Sequence, residues 1–363
     1  MSALLFAFIC CYLFFIIFIV TGLFKHSVLP IQSSIKLPMV SIIIAARNEE
    51  ALLPNLIQDL IKQEYPLDKL EVMIINDRST DSTEEILAKA DEDYALIKTI
   101  TVRQTSSNMT PKKHALTLGI ESAQGDIIVL TDADCRVGKF WASSMAYSVM
   151  HKDCICIGYS EISVYNNSLF EQYQHIDFLS IISANTGAAG WGYFWSGTGQ
   201  NLAFYKDDFI SVNGFEPVKD KISGDDMYLV QAISKLKKGY VNIDPNSFVE
   251  TSSMPNTKEF INQRVRWSSN SKSNANQNPL FFYFLLTMFI FNILTIGSFV
   301  FNGPWILLLF IKFCLEGIVI FLGGRLFNRK IEFLPYCLWS IMQPVYIPLV
   351  GILGLRGKFI WKL

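Results

Sequence analysis

The chain has 363 residues, of which 51% are hydrophobic and only 17% charged, with a mean hydropathy of +0.30. Soluble domains carry about 25% charge, so a wholly soluble protein is excluded, and the wealth of apolar residues excludes a disordered one. A net charge of −1 gives no electrostatic reason to expect nucleic acid as a partner.

Residues 3–24 carry no charge. A helix of that length crosses a hydrocarbon core of about 30 Å. No basic segment precedes it and no A-x-A site comes after it, so it is expected as a retained transmembrane helix (residues 1–25) rather than a signal peptide. Lys25 and Lys36 come next, and positive-inside bias places the segment beyond them in the cytoplasm.

Residues 38–279 are expected to form one cytosolic domain. Short apolar runs at 40–46, 70–76, 96–102 and 126–131 predict strands. Amphipathic stretches at 50–64, 81–91 and 112–123 predict helices. The repeated β-α alternation points to a largely parallel, three-layer α/β domain. In such sheets ligands lie beyond the carboxyl ends of the strands.

The remainder, 280–363, is expected in the membrane. Apolar blocks at 280–301 and 304–322 predict two full spans, joined outside by Asn302-Gly303. Lys312 and Glu316 are four apart, on one helix face, and are expected to neutralise each other inside a helix bundle. Arg325, Arg329 and Lys330 mark a return to the cytoplasm. The block at 333–354 contains Pro335, Pro344 and Pro348 and is expected to be broken or re-entrant, leaving Arg356, Lys358 and Lys362 inside. The seven cysteines (10, 11, 135, 154, 156, 314 and 337) form no CxxC pair and are expected reduced. Cys154 and Cys156 are expected on one face of a strand.

Five polar clusters interrupt this pattern. Ala45-Ala46-Arg47-Asn48-Glu49-Glu50 comes after the first strand. Asn76-Asp77-Arg78-Ser79-Thr80-Asp81 comes after the second; its Ser-Thr-Asp reads as a helix N-cap, whereas Asp77 at a strand's carboxyl edge can accept hydrogen bonds from a nucleobase or ribose. Asp132 and Asp134 come after the strand at 126–131. Two carboxylates there repel unless a cation lies between them, and hard oxygen donors suit Mg²⁺ or Mn²⁺ bound to a diphosphate. Asp225 and Asp226 open a helix running to about Lys237, either as N-terminal acids favoured by the helix dipole or as a general base for an acceptor hydroxyl. Gln263, Arg266 and Trp267 share a helix face and combine hydrogen-bonding, phosphate-clamping and stacking groups, beside a membrane span.

The order N-E, D-x-S-T-D, K-x-x-A-L, D-x-D, D-D and Q-x-x-R-W resembles that of the membrane-anchored family 2 glycosyltransferases, the branch holding cellulose synthases, ceramide glucosyltransferases and carotenoid glycosyltransferases. The resemblance covers roughly residues 38–275. It implies a GT-A fold, a Rossmann-like α/β sandwich. It implies that Glu49 and Asp77 hold the nucleoside of a nucleotide sugar, most often a UDP-sugar. Lys112 would approach the donor nucleotide, Asp132 its ribose or sugar, and Asp134 the metal. Asp226 would be the base, with Asp225 on the acceptor side. Gln263, Arg266 and Trp267 would secure the diphosphate and shape the acceptor mouth, and Trp195 and Ser196 would receive the acceptor. Asn76 stands where Asp is commoner, Asp225 where Glu is often seen, and Ser196 where cellulose synthases have Cys.

The expected activity is therefore an inverting, metal-dependent hexosyl transfer from a cytosolic nucleotide sugar to a lipid or lipid-linked acceptor, at the inner membrane. A processive polysaccharide synthase is the alternative acceptor reading, although three spans and one broken segment are few to enclose a polymer. A non-catalytic sugar-nucleotide sensor is the alternative of another class. A metal-dependent nucleotidyltransferase would use a similar acid pair but does not call for Q-x-x-R-W.

Overall fold

A computed structural model describes residues 3–30, 37–106 and 108–356. In chain order it runs α1 (Ala3–Leu23), β1 (Val40–Ala46), α2 (Leu53–Leu60), β2 (Leu70–Asp77), α3 (Thr83–Asp93), β3 (Ile97–Val102), α4 (Pro111–Ser122), β4 (Ile127–Leu130) and β5 (Cys135–Val137). Then come α5 (Trp141–Lys152), β6 (Ile155–Gly158), β7 (Ser160–Ile162), α6 (Leu169–Ala189), β8 (Leu202–Tyr205), α7 (Lys206–Ser211), α8 (Asp225–Leu236), β9 (Gly239–Asn242) and β10 (Val249–Thr251). The chain continues with α9 (Thr257–Ser268), α10 (Ser271–Gln277), α11 (Pro279–Val300), α12 (Trp305–Leu326) and α13 (Phe333–Leu355).

The single domain expected over 38–279 divides between two compact units. One comprises His26–Glu161 and Ser196–Ser252; the other comprises Met1–Lys25, Ile162–Trp195 and Ser253–Leu363. α6 and α9 are not apolar spans by sequence, but α6 packs with α1, α12 and α13, and α9 with α13.

The first unit holds a seven-stranded sheet in the order β3-β2-β1-β4-β8-β6-β9. β1 pairs in parallel with β2, from Val40 opposite Leu70 to Ala46 opposite Asn76, and with β4 on its other side. β8 runs antiparallel to both β4 and β6, so its start lies beside the carboxyl end of β4, where Leu202 pairs with Leu130. The strands are apolar almost without alternation because helices cover both faces. Leu53, Leu56 and Leu60 of α2 and Trp141, Met145 and Val149 of α5 close one core with Ile42, Ile44, Val72, Ile74 and Val129. A small second sheet, β5-β10-β7, sits beside it.

The expected strands are present to within one or two residues. The helix expected at 50–64 shortens to α2, because Pro54 is suited only to a helix's first turn and residues 50–52 form a turn ahead of it. Cys154 and Cys156 are both buried, but β6 begins at Ile155, so only Cys156 lies in the strand.

In the second unit, α1, α11, α12 and α13 each contain a segment long and apolar enough to cross a membrane. The break expected at 333–354 is absent: α13 is one 23-residue helix with Pro344 and Pro348 inside it. Packed helices tolerate such prolines at membrane depth. The placement expected for the tail falls on residues 357–363, outside the described residues. Lys312 and Glu316 do pair, and Glu316 also accepts from Tyr12 Oη of α1 at 2.9 Å. α1 meets α6 backbone to backbone: a Cβ on Gly187 would stand 2.5 Å from Ile19 O, and one on Gly190 2.1 Å from Gly22 O, so only glycine permits this crossing.

Candidate active site

The site builds on the carboxyl ends of β1, β2 and β4. Each chain turn there leaves the strand abruptly. Asn48 (φ 53°) and Arg78 (φ 56°) adopt the left-handed region that L side chains seldom occupy. The two turns brace each other. Asn48 N donates to Ser79 Oγ at 3.1 Å, and Asn48 Oδ1 accepts from Thr80 N at 2.8 Å. Glu49 N donates to Thr83 Oγ1 at 2.8 Å and Glu50 N to Asp81 Oδ2 at 3.1 Å. The N-cap of α3 is Ser82, with no side-chain cap, rather than the Ser-Thr-Asp segment before it; Asp81 Oδ1, one residue ahead, accepts from Thr83 N at 3.0 Å. Asp77 is buried at the end of β2 and paired with Arg78, at 2.8 Å and 3.3 Å to its two oxygens.

Four buried polar side-chain atoms along this edge have no hydrogen-bond partner among the described residues: Arg47 Nε after β1, Asn76 Nδ2 in β2, Thr131 Oγ1 after β4, and Gln200 Oε1 just before β8. Native proteins leave few such groups unsatisfied without a cause. A polar ligand over the edge supplies one.

Next along the edge, α4 and the β4–β5 turn bring a cation to the acids. Lys112 Nζ lies 2.7 Å from Asp132 Oδ1, with the two side chains 26% and 27% exposed. Burial alone would lower the Lys112 pKa, but the charges of Asp132, Asp225 and Asp226 outweigh it and hold the ammonium well above its ordinary range. Asp225 and Asp226 occupy the first turn of α8, entered through Gly224 at φ 85°. Asp226 Oδ1 accepts from Met227 N at 2.7 Å, and Oδ2 from Gly199 N at 3.2 Å. Burial, then the charge of Asp225, pushes the Asp226 carboxyl up to about 6. An acid so placed is ionised near neutrality yet basic enough to take a proton.

Asp134 lies two residues after Asp132, with Cys135 Sγ 3.7 Å from its Oδ1. Burial pushes the Cys135 thiol well up, so it is inert beside the acids. Among the described residues no cluster of three or more His, Cys, Asp or Glu forms a closed metal cage. Mg²⁺ and Mn²⁺ commonly use one or two carboxylates and complete their shell with water and substrate phosphates. The donor set of Asp132 and Asp134 therefore fits such an ion.

Of the residues singled out by sequence, Lys112, Asp132, Asp225 and Asp226 share this cluster, with Glu49 and Asp77 on the first two strand ends. Ser196 belongs to the same unit and turns its hydroxyl onto Gly197 O at 3.2 Å. Trp195 corrects an expectation. It is fully buried in the other unit, stacked on Phe281 and Phe284 with ring centroids 5.1 Å and 4.9 Å away. Its ring packs helices and is not open to an acceptor.

Gln263, Arg266 and Trp267 lie on α9 of that second unit, half-buried. Their helix is held by a residue that no sequence motif singles out. Arg264 is 3% exposed and pairs with Asp177 of α6 at 2.7 Å. Asp177 also accepts from Trp339 Nε1 and Tyr346 Oη of α13, each at 3.2 Å. The Arg264 guanidinium lies 4.2 Å over Trp267, so that indole is partly committed to packing. The missed site groups, Gly199 N and Met227 N, act through backbone, where sequence carries no side-chain signal.

A family model described as glycosyl transferase family 2 matches residues 41–212, which include Glu49, Asp77, Lys112, Asp132 and Asp134 but end before Asp225. The chain is 41% identical over 115 residues to a beta-monoglucosyldiacylglycerol synthase of Nostoc sp., a stretch covering 32% of this chain and 24% of that one. It is 25% identical over 274 residues to the probable glycosyltransferase YdaM of Bacillus subtilis, covering 70% and 64% of the two. The chain thus matches about a quarter of the synthase's length and less than two thirds of YdaM. Among solved structures it is similar to a mannosyltransferase of Pyrobaculum calidifontis in complex with GDP-Man and Mn²⁺, with a TM-score of 0.63, 19% identity and 98% of both chains covered. At that identity the likeness is one of fold, and the fold is the GT-A one.

Proposed function

We propose that this chain, whose residues 41–212 match the glycosyl transferase family 2 model, transfers a hexose from a nucleotide sugar, with inversion, to a membrane lipid or lipid-linked acceptor. The observation that carries this reading is the cluster in which Asp226, with its carboxyl pushed up to about 6, stands with Asp225 beside the Lys112–Asp132 pair at the sheet's carboxyl edge.

Asp226 takes the proton of the acceptor hydroxyl as that oxygen attacks the anomeric carbon. The Met227 and Gly199 amides hold its two oxygens, so it enters the reaction already oriented. A single displacement with one base and no covalent carboxylate inverts the anomeric centre. Lys112 places a fixed positive charge beside Asp132. Asp132 and Asp134 would hold the divalent ion, which when bound supplies charge neutralisation of the leaving diphosphate. Arg47, Asn76 and Asp77 offer hydrogen-bonding groups for the nucleoside, with Glu49 on the adjoining turn; a UDP-sugar is the expected donor. Gln263, Arg266 and Trp267 would act at the diphosphate and acceptor mouth, with Ser196 and Asp225 on the acceptor side.

The relatives support a lipid acceptor through a glucosyldiacylglycerol synthase, and the four apolar helices support residence in a membrane. The basic residues Lys25, Arg325 and Arg329 support a catalytic unit on the cytoplasmic side of the inner membrane, and the cytosol is where nucleotide sugars are made. The test is direct. Full-length protein in detergent, given nucleotide sugars and membrane lipids, should release nucleoside diphosphate and form a single glycolipid. A polymer ladder would make it a processive synthase, and no release with any donor would leave it a non-catalytic sensor.

A further inference from the structure

Three cations are buried among the described residues, and two of them have a carboxylate as partner: Arg264 pairs with Asp177, and Lys312 with Glu316. Lys113 is the third. It is 1% exposed and pairs with no carboxylate among the described residues. Its Nζ donates to Lys221 O, and to Thr110 Oγ1 at 3.5 Å. A carbonyl is satisfied by a neutral donor, so that hydrogen bond alone does not account for a charge withdrawn from water. The position along the chain is unfavourable too. Lys112 and Lys113 both stand in the first turn of α4, where the helix dipole opposes cations, and no acid of that turn offsets them. Lys112 is accounted for by Asp132, 2.7 Å away. Lys113 needs another cause.

The segment that Lys113 holds leads into the acid pair. Lys219 O accepts from Thr110 N at 3.0 Å, and Lys221 O from Lys113 Nζ. These bonds lay residues 219–221 along the start of α4. Just beyond them Gly224, at φ 85°, turns the chain into α8 and delivers Asp225 and Asp226. We infer that Lys113 is a positioning residue for Asp226: it ties residues 219–221 to the helix that carries Lys112, and so fixes where the acid pair stands beside the Lys112–Asp132 pair. Its charge acts on the same acids. Burial lowers the Lys113 pKa; the charges of Asp225 and Asp226 oppose that fall, and those of Lys112 and Lys221 add to it. Asp226 in turn has Asp225 beside it on α8 and Lys112 facing it from α4. The inference rests on the proposed role of Asp226 as base and adds the residue that places it.

The experiment uses full-length protein in detergent with membrane lipids and whichever of UDP-glucose, UDP-galactose and GDP-mannose the wild type turns over. Wild type, Lys113→Met, Lys113→Gln, Lys113→Arg and Asp226→Asn are compared by unfolding temperature, by calorimetric affinity for the matching UDP or GDP, and by kcat and kcat/KM against pH. Lys113→Met removes the charge and the donor at nearly constant length. Its kcat should fall at least about tenfold, a modest loss for a displaced catalytic group, with UDP or GDP affinity within about twofold of wild type. The acid limb of kcat/KM should move to higher pH, because losing a cation near Asp226 favours its protonated form. Lys113→Gln keeps a donor without the charge and should show the same displaced limb, which also serves if Lys113→Met does not fold. Lys113→Arg keeps the charge and should bring the limb back toward wild type. A limb that stays in place or moves down in the uncharged variants would overturn the inference, as would a loss of UDP or GDP affinity as large as the loss in kcat. Asp226→Asn keeps the two readings apart. If it is inactive while Lys113→Met turns over normally, the inference alone falls. If it turns over normally, the base assignment falls and takes the inference with it. A wild type that turns over none of the donors would overturn both.

Discussion

Two regions of this molecule bury a cation against a carboxylate, and they treat the pair differently. In the sheet unit, Lys112 and Asp132 remain about a quarter exposed and face two further acids. In the helical unit, Arg264 and Asp177 are 3% and 5% exposed, and Trp339 and Tyr346 complete the aspartate's hydrogen bonds. In the sealed pair both Asp177 oxygens accept hydrogen bonds and Arg264 donates through Nε and Nη1, to Asp177 and Gln263, while its Nη2 is buried without a partner among the described residues. The open group sets the carboxyls of Asp132, Asp225 and Asp226 around Lys112, and the Asp226 carboxyl rises to about 6 in consequence of burial and of Asp225. Charge within reach of solvent is equipment for a ligand. Charge sealed inside a helix bundle is architecture.

The sharpest way to break this comparison is to exchange the effects. Asp226→Asn keeps size and shape but loses basicity, so transfer should fall by at least about 10²-fold with the unfolding temperature unchanged. Excess EDTA should abolish transfer in the same way, with Mg²⁺ or Mn²⁺ restoring it, and Asp134→Ala should resist that rescue. Normal turnover by Asp226→Asn, or full activity in chelator, would remove the open cluster from the chemistry.

Asp177→Ala should do the reverse. It strands the buried Arg264 charge, which costs about 3–5 kcal/mol of stability. The expected sign is a marked drop in the unfolding temperature in detergent, with nucleotide binding retained by whatever fraction stays folded. An unchanged unfolding temperature would mean that the pair is not sealed.

A smaller effect tests the origin of the Asp226 shift. A base must be ionised to act, so kcat/KM should fall on the acid side with an apparent pKa near 6. The negative charge of Asp225 helps raise that value. Asp225→Asn should therefore move the acid limb to lower pH. A limb that stays in place would leave burial as the whole cause, and one that moves up would contradict the geometry.

The least of the effects concerns orientation. In a cysteine-free background, single cysteines at Ser2 and Asn302 should react with a membrane-impermeant thiol reagent on intact cells. Protection at both, with labelling inside residues 38–106, would put the sheet unit outside and take away its donor. Labelling at Lys362 would add α13 as a fourth crossing.

Sequence alone determined the apolar helices, because continuous runs such as residues 3–24 have one physical solution in lipid. It determined the parallel core as well, since short β-branched runs alternating with amphipathic stretches leave little else to build. The positions of Asp77, Asp132 and Asp134 came with it, because a strand's carboxyl edge is where such a sheet presents its polar groups. It could not see which groups share one space. Lys112 and Asp226 are over a hundred residues apart, and only the pairing of β4 with β8 and the entry of α8 through Gly224 bring them to the same carboxylates. Nor could it separate Arg264 from Arg266, two positions apart on one helix, one buried on Asp177 and the other half-exposed. The unbroken course of α13 through Pro344 and Pro348 was hidden for the same reason. Proline's local cost is written in the sequence, but the neighbouring helices that offset it are assembled only in three dimensions.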